Sequence, residues 1–366
     1  MTGIANGHFR RRPALPSVEG EPPTRTRRAA VPDHPASPEN PAPPGAGYAP
    51  LAGPFALGTF ASTPAGGAFP GLVAGARVRD LSDLAPSVRA LVEDWDGLLP
   101  RLGELAARTD GTWHDLAALR VLTPIEPGQI LQSGANYRRH VVDLVAAEKE
   151  SVHGATPQAA RADAEKMMDE RSRNGVPYLF LGSPRALCGP YDDIVLPALG
   201  EQHDWELELA LVIGRTGRNI PVEDAMSYVA AYTISNDLTT RDRLYRPDLK
   251  AIGTDWFTAK NADTFLPTGP FLVPAAFVGD PGDLRITLRH NGVVRQDEST
   301  KDMIFDIPRL LAYASATTTL RPGDLVLTGS PAGNGAHWGV FLRPGDVIDA
   351  EITGLGRQRN TVRSHA

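Results

Sequence analysis

Residues 204–214 read Asp-Trp-Glu-Leu-Glu-Leu-Ala-Leu-Val-Ile-Gly. The stretch is apolar, rich in branched side chains and closed by glycine, which predicts a β-strand. Successive side chains on a strand point to opposite faces, so Glu206 and Glu208 share one face, about 6–7 Å apart along the chain. Ala210 and Val212 continue that face. The face therefore begins with two carboxylates and ends in the predicted core.

Two carboxylates at the entrance to a buried face must be protonated, paired with a cation or bound to a metal. Their oxygens suit Mg²⁺, Mn²⁺ or Ca²⁺ better than zinc. A plainer interpretation is an edge strand with a solvated outer face. The Glu-x-Glu pattern by itself favours the plainer interpretation, and the other motifs of the chain reverse that preference.

Composition narrows the possible functions. The formal net charge of −6 argues against nucleic acid as the main ligand. The sequence contains no apolar run long enough to span a membrane. The single cysteine, Cys188, excludes an intrachain disulfide and fits a reducing compartment, so we expect a cytoplasmic protein in which Cys188 fills space in the core.

The chain divides into three predicted parts. Residues 1–50 are rich in proline and arginine and lack apolar periodicity, which predicts a disordered tail. A transit peptide is the less favoured interpretation of this tail, because the prolines prevent a long amphipathic helix. Residues 51–122 predict a small N-terminal α+β domain, and residues 123–366 a catalytic domain. A helical insert is expected at 146–175, with Thr156-Pro157 as a helix start and Asn174-Gly175 as a stop.

The segment 134–143 reads Gly-Ala-Asn-Tyr-Arg-Arg-His-Val-Val-Asp and predicts a turn that leads into a helix. His140 and Asp143 are three residues apart and would lie on one helical turn. A carboxylate beside an imidazole raises its basicity and fixes its tautomer, which suits a general base. A surface ion pair or a capping histidine is the alternative.

Three further segments carry candidate residues. Asn236 and Asp237 follow a predicted strand, where Asp237 would add a third carboxylate or simply form a turn. Lys260 lies among small and apolar residues, and it would stabilise an enolate or carboxylate if its ammonium pointed inward. The glycine-rich loop 328–335, with Ser330, follows a strand and offers backbone N–H groups to an anion.

The ordered set of motifs resembles the fumarylacetoacetate hydrolase (FAH) family from about residue 123 to residue 362. The matching motifs are Gly-x-Asn-Tyr-x-x-His (134–140), Pro-x-x-Phe (177–180), Glu-x-Glu-Leu-Ala (206–210), Asn-Asp-x-x-x-Arg-Asp (236–242), Lys-x-x-Asp-Thr-Phe-x-Pro-x-Gly-Pro (260–270), Gln296 with Ser-Thr-Lys-Asp-Met-Ile-Phe (299–305), Gly-Ser-Pro-Ala-Gly (329–333) and Gly-Leu-Gly (354–356). Their common order is far more specific than any one of them.

The resemblance implies an α+β fold that is mainly β, a mixed β-sandwich roll of the FAH C-terminal type, and a homodimer. It implies one Mg²⁺ or Mn²⁺ ion, with Ca²⁺ as a further option, held by Glu206, Glu208 and Asp237. The implied catalytic residues are His140, Asp143 and Lys260. The expected substrate-binding residues are Tyr137, Arg139, Arg241 and Ser330.

The implied reaction is C–C bond hydrolysis in an acylpyruvate or a related β-diketo acid. His140, oriented by Asp143, would activate water, and the metal and Lys260 would stabilise an enolate leaving group. The alternatives are oxaloacetate-type decarboxylation, keto-acid isomerisation or hydration on the same site, and a catalytically silent keto-acid binder.

Two departures from the family pattern bear on the choice between these reactions. Asp143 stands where hydrolytic members often have Glu, and Gly182 stands where a lysine often follows the Pro-x-x-Phe motif.

Overall fold

A computed structural model of the protein describes residues 50–62, 67–249, 251 and 253–365. The disorder predicted for the tail therefore falls almost entirely outside the described residues. Among the described residues, no helix combines the length and the apolar character that crossing a membrane would require.

Short strands make up most of the regular structure. They are β1 (Ala56–Ala61), β2 (Ala68–Ala74), β3 (Arg77–Asp80), β4 (Trp113–Asp115), β5 (Arg120–Val121), β6 (Ile130–Gly134), β7 (Tyr178–Gly182), β8 (Leu187–Cys188), β9 (Ile194–Leu196), β10 (His203–Asp204), β11 (Leu207–Ile213), β12 (Val229–Asn236), β13 (Thr239–Thr240), β14 (Leu266–Pro274), β15 (Arg285–His290), β16 (Val293–Ser299), β17 (Leu325–Leu327), β18 (Val347–Ile352) and β19 (Gly356–Ser364). The α-helices are α1 (Val88–Val92), α2 (Trp95–Ala107), α3 (Arg138–His153), α4 (Pro157–Asn174), α5 (Trp256–Lys260), α6 (Ile307–Thr317) and α7 (Gly335–Trp338).

The strands form two main sheets. The larger has the order β4-β3-β2-β1-β14-β12-β11-β17-β6-β7, with β5 paired to β1 and β8 paired to β14. The smaller has the order β16-β15-β18-β19-β9, and β10 and β13 form a separate pair. The expected α+β fold, mainly β, is confirmed. Residues 51–122 contribute β1–β5 to the same sheet that contains β11, since β1 pairs with β14.

The predicted strand at 204–214 lies in the interior of the larger sheet, between β12 and β17. Every residue of β11 is buried, so the interpretation as an edge strand with a solvated face is wrong. The regular strand begins at Leu207, because His203 and Asp204 pair instead with β13. The predicted alternation is confirmed: Leu209 packs in one apolar core, while Ala210 packs in another that includes Leu57 of β1.

Helices α3 and α4 form a hairpin beside the sheet. Thr156 caps α4, its side-chain oxygen accepting from the Ala159 N–H at 3.4 Å, and Gly175 follows the last helical residue. The predicted start and stop of this helix are therefore confirmed. The hairpin has its own small core, which includes Val142, Ala160 and Ala164. Since α3 begins at Arg138, helical structure starts before the predicted insert boundary at residue 146.

Candidate metal centre

The antiparallel pairing of β11 with β12 brings the candidate carboxylates together. Leu207 lies opposite Asn236, so the residues just outside this pair, Glu206 and Asp237, are neighbours as well. The Asp237 N–H donates to the Glu206 carbonyl at 2.8 Å, and the Asn236 side chain accepts from the Glu206 N–H at 2.9 Å. These hydrogen bonds fix the relative positions of Glu206 and Asp237, which are distant in sequence.

Glu206, Glu208 and Asp237 are all buried and form one cluster. Each offers a carboxylate oxygen that lies within 4.8 Å of those of the other two. One oxygen of Glu208 accepts from the Gly329 N–H at 2.7 Å. The Oδ1 atom of Asp237 is buried with no hydrogen-bond partner among the described residues. A buried carboxylate oxygen without a partner is costly unless a cation occupies the space beside it.

The ammonium of Lys260 points inward, which is the orientation it needs to take part in the site. Its ammonium donates to Glu206 at 2.8 Å, to Asp237 at 2.5 Å and to the Thr239 hydroxyl at 2.7 Å. Only 4% of the residue is exposed. An ammonium with three oxygen partners is satisfied, so its charge is directed at the place where the carboxylates meet.

Arg241 is the second cation of the cluster, and 18% of its side chain is exposed. Its Nε donates to Asp204 at 2.7 Å and its Nη2 to Glu206 at 2.5 Å. Asp204, which is fully buried, also accepts from the backbone N–H groups of Trp205, Gly335 and Ala336. Asp204 thus connects the start of α7 to the arginine that holds Glu206.

The pKa shifts follow from burial and from these pairs. Burial alone would raise the pKa of Glu206, but Arg241 and Lys260 together hold it well below its usual value. Burial, followed by repulsion from Asp237 and Glu206, raises the pKa of Glu208 well above its usual value. Burial also raises the pKa of Asp237, to about 6, although Lys260 opposes the shift.

These residues fit a divalent cation. Four buried carboxylates, including Asp204, face two cations, Lys260 and Arg241, so the ionised cluster carries an excess of negative charge. The oxygen-only donor set is the one that Mg²⁺, Mn²⁺ and Ca²⁺ prefer. Glu206, Glu208 and Asp237 would hold the ion, and the partnerless Oδ1 of Asp237 marks an available ligand atom.

His140 lies on the first turn of α3 and is half-buried near the carboxylates. Desolvation lowers its pKa to about 4, although the nearby Glu206 partly opposes that shift, so the imidazole is neutral at pH 7. Asp143 is on the same helix, but its carboxylate accepts from Arg161 of α4 at 3.1 Å. Within the part of the chain that the structure describes, no hydrogen bond joins Asp143 to His140.

The expected substrate-binding residues have varied surroundings. Tyr137 is fully buried at the start of α3. Ser330 is buried, and its hydroxyl accepts from the Gln296 amide at 3.0 Å. Arg139 is largely exposed and pairs with Glu298. Arg241 holds Glu206 and Asp204, so it organises the metal site in this structure.

Several residues that build the site have no role in the motif-based prediction. Asp204 contacts Arg241 and Thr239 contacts Lys260 directly. Gln296 accepts from the Leu207 N–H at 3.1 Å and so anchors the start of β11. A polar residue next to a fully apolar strand was the available signal for Asp204. Gln296 was named among the family motifs without a role, and nothing local marked Thr239, whose partner Lys260 is distant in sequence.

Comparison with known sequences gives the family. Residues 129–363 match the family described as fumarylacetoacetate (FAA) hydrolase C-terminal. The human protein named oxaloacetate tautomerase FAHD2B, mitochondrial, is 42% identical over 182 residues, which is 49% of this chain and 57% of that protein. The chain thus spans little more than half the length of this relative. Oxaloacetate tautomerase fahd2, mitochondrial, of Xenopus laevis is 34% identical over 79% of this chain and 83% of its own length.

Solved structures agree with this assignment. Maleylpyruvate hydrolase from Sphingobium sp. SYK-6, solved with manganese(II) and pyruvate, is 28% identical, with a TM-score of 0.64 over 85% of this chain and all of that one. A probable 2-hydroxyhepta-2,4-diene-1,7-dioate isomerase from Mycobacterium abscessus is 28% identical, with a TM-score of 0.65 over 85% of this chain and 99% of that one. The resemblance drawn from the motifs is confirmed, and the chain belongs to the fumarylacetoacetate hydrolase family.

Proposed function

We propose that the protein is a divalent-metal-dependent enzyme that interconverts the enol and keto forms of an α-keto acid with a β-carbonyl group, such as oxaloacetate or an acylpyruvate. The observation that carries the proposal is the cluster of three buried carboxylates, two of which accept from Lys260, beside a half-buried histidine that is neutral at pH 7. Relatives named oxaloacetate tautomerases support the reaction class.

Lys260, Arg241 and His140 have separate roles in this reaction. A bound divalent ion would supply positive charge to the oxygens of the keto acid. Lys260 adds a second positive charge at the same place, and Arg241 keeps Glu206 ionised and oriented. His140 takes the proton from the enol hydroxyl and returns a proton to carbon 3, so one O–H bond breaks and one C–H bond forms.

The hydrogen bond that Asp143 accepts from Arg161 favours tautomerisation over hydrolysis. Activation of water by His140 needs a carboxylate to orient the ring and stabilise its protonated form. Asp143 is instead bonded to Arg161 of α4. Proton transfer within a bound substrate does not need that dyad, whereas an attack by water does.

C–C hydrolysis of an acylpyruvate is the second candidate. Its support is the low pKa of His140, which leaves the ring unprotonated and able to take a proton from water at neutral pH. A similar fold occurs in the protein named maleylpyruvate hydrolase, which was solved with manganese(II) and pyruvate. If α4 moved and released Asp143, the shorter carboxylate would become available to the ring.

The deciding experiment compares three readouts on one preparation loaded with Mn²⁺ or Mg²⁺. They are loss of enol ultraviolet absorbance, release of pyruvate from acetylpyruvate, and release of CO₂ from oxaloacetate. We expect rapid ketonisation, and His140→Ala should lower it by about 10²–10⁴-fold. Rapid pyruvate release from acetylpyruvate would favour the hydrolase, and rapid CO₂ release that is indifferent to His140→Ala would favour a decarboxylase. A wild-type protein without any of these activities would be the silent keto-acid binder.

Asp143→Asn separates the first two candidates further. A tautomerase should retain most of its turnover, because Asp143 takes no part in the transfer. A hydrolase should lose activity in this variant nearly as strongly as in His140→Ala. We also propose a homodimer, as the resemblance implies, and keep the expected cytoplasmic location as a proposal beside relatives whose names place them in mitochondria.

A further inference from the structure

An aromatic surface borders the site, and the mechanism above does not use it. Tyr178 and Phe180 of β7 and Trp256 of α5 form this surface, which we call the aromatic wall. The rings of Phe180 and Trp256 are stacked, with centroids 4.7 Å apart and planes inclined by 16°. The Trp256 indole N–H donates to the Tyr178 hydroxyl at 2.6 Å, which fixes the orientation of the indole.

The wall faces the reaction site. Trp256 and Lys260 are four residues apart on α5, so they lie on the same side of that helix. The Lys260 ammonium is 5.7 Å from the centroid of Phe180 and 5.9 Å from that of Trp256. The same ammonium contacts Glu206 and Asp237. A substrate held at the carboxylates would therefore have its far end beside these rings.

The rings of the wall do not simply fill the core. Tyr178 is 44% exposed, and Phe180 and Trp256 are only half-buried. Gly134, the last residue of β6, makes room for the wall, since a Cβ there would lie 2.7 Å from the Tyr178 ring. Ordered, partly exposed and stacked rings next to a buried charged site form a surface on which a flat apolar group can pack.

The wall occupies the strand face on which a lysine would have been expected. Side chains at 178, 180 and 182 share one face of β7, and position 182 is glycine. A Cβ at Gly182 would contact the buried Gln132 amide oxygen, so a longer side chain would displace that residue. The two cations of the site, Lys260 and Arg241, already donate to the site's own carboxylates. Among the described residues of this face, none presents a cation to a second carboxylate of the substrate.

We infer that the enzyme prefers a keto acid whose distal end is a planar apolar group, such as an aroyl or conjugated acyl group, packed against Tyr178, Phe180 and Trp256. The inference rests on the proposed function and specifies the substrate class for the same site. The preferred substrate would therefore carry an apolar distal group in place of the second carboxylate that oxaloacetate has.

The test compares benzoylpyruvate, acetylpyruvate and oxaloacetate with the full-length, Mn²⁺-loaded protein. We expect kcat/KM to be highest for benzoylpyruvate, by about 10-fold or more over acetylpyruvate, which is the usual scale for an apolar pocket contact. In Phe180→Leu and Trp256→Leu, the ratio of benzoylpyruvate to acetylpyruvate kcat/KM should fall by about 10-fold. Phe257→Leu is the matched control, since Phe257 is the neighbouring aromatic residue of α5 and is 79% exposed. It should keep the wild-type ratio.

Calorimetric binding of the same three compounds distinguishes the two ways of failing. A wild-type protein that converts none of them overturns the proposed function, and a preference for benzoylpyruvate in binding would then still support the wall. A protein that converts oxaloacetate best, or whose substrate ratio is unchanged in Phe180→Leu and Trp256→Leu, overturns the inference alone. If one variant fails to fold, the other variant and the wild-type order of substrates decide the question.

Discussion

Arg241 and the fully buried Asp204 form an ion pair, with the Nε of Arg241 donating to the carboxylate of Asp204 at 2.7 Å. The same guanidinium holds the metal-site residue Glu206 from the other side. Asp204 in turn accepts from backbone N–H groups at the start of α7. The pair therefore joins the metal site to the loop that follows Ser330, and it accounts for a charged residue beside a fully buried strand.

Breaking this pair should be costly. Asp204→Asn leaves the Arg241 guanidinium with only one of its two carboxylate partners, and we expect the free energy of unfolding to fall by about 1–3 kcal/mol. The matched control is Asp248→Asn, which breaks an exposed Arg–Asp pair with Arg246 and should cost about 0–1 kcal/mol. Urea unfolding followed by tryptophan fluorescence measures both. If the free energy of unfolding fell by a similarly small amount in both variants, the Asp204–Arg241 pair would have no structural role.

Metal binding should require all three clustered carboxylates. Glu206→Gln, Glu208→Gln and Asp237→Asn should each abolish measurable Mn²⁺ and Mg²⁺ binding in calorimetry, because each removes a charged ligand from the cluster. Asp224→Asn, at an exposed acidic position, is the control and should bind as the wild type does. Unchanged affinity in all three cluster variants would remove the metal site from this protein.

The metal should also stabilise the fold. At a free Mn²⁺ concentration 100 times the Kd, the wild-type protein should gain about 2.7 kcal/mol, and a chelator should reverse the gain. The Asp237→Asn variant should melt at the same temperature with and without the ion. A wild-type melting temperature that does not respond to Mn²⁺ would contradict the prediction.

Metal affinity should weaken in acid. Burial raises the pKa of Asp237 to about 6 and that of Glu208 well above its usual value, so below about pH 6 these groups hold protons that an incoming ion must displace. Affinity therefore falls as the pH falls, and binding releases more protons at lower pH. Calorimetry in two buffers with different ionisation enthalpies counts the protons released. A release that stays at zero across this range would show that the carboxylates are already ionised without the metal.

The predicted tail should be dispensable for stability and catalysis. Residues 1–45 lie outside the described residues, and the prediction rests on their composition, which lacks the apolar residues needed to form a core. A protein that starts at Gly47 should keep its melting temperature and its kcat/KM within error. A large loss of either would show that the tail packs on the rest of the protein.

Local sequence patterns predicted much of the fold because their physical causes are local. The alternation of Glu206, Glu208 and Ala210 reflects the two-residue period of a strand, which any sheet must obey. Thr156 and Gly175 mark the ends of α4 because the helix termini need caps wherever the helix packs. The sequence Leu-Arg-Pro-Gly-Asp occurs twice, at 320–324 just before β17 and at 342–346 just before β18. In each copy the Asp side chain accepts from the backbone N–H three residues before it, which forms a local turn.

The family resemblance also came from the sequence, since six or more short motifs kept one order. It named the three carboxylates and Lys260 before any contact between them was known. Those motifs are separated by tens of residues, so their agreement on one site depends on strand pairing. The structure places their oxygens and the ammonium within one cluster through the register of β11 and β12.

Only the tertiary structure decided which partner each charged side chain takes. Asp143 was expected to face His140 three residues away, yet its carboxylate accepts from Arg161 across the α3–α4 hairpin. Arg241 was expected to meet the substrate, yet it bonds to Asp204 and Glu206. A residue's position on its own helix or strand follows from a local period. The choice of a partner depends on which distant groups share the same buried space, because a charge removed from water must find its counter-charge there.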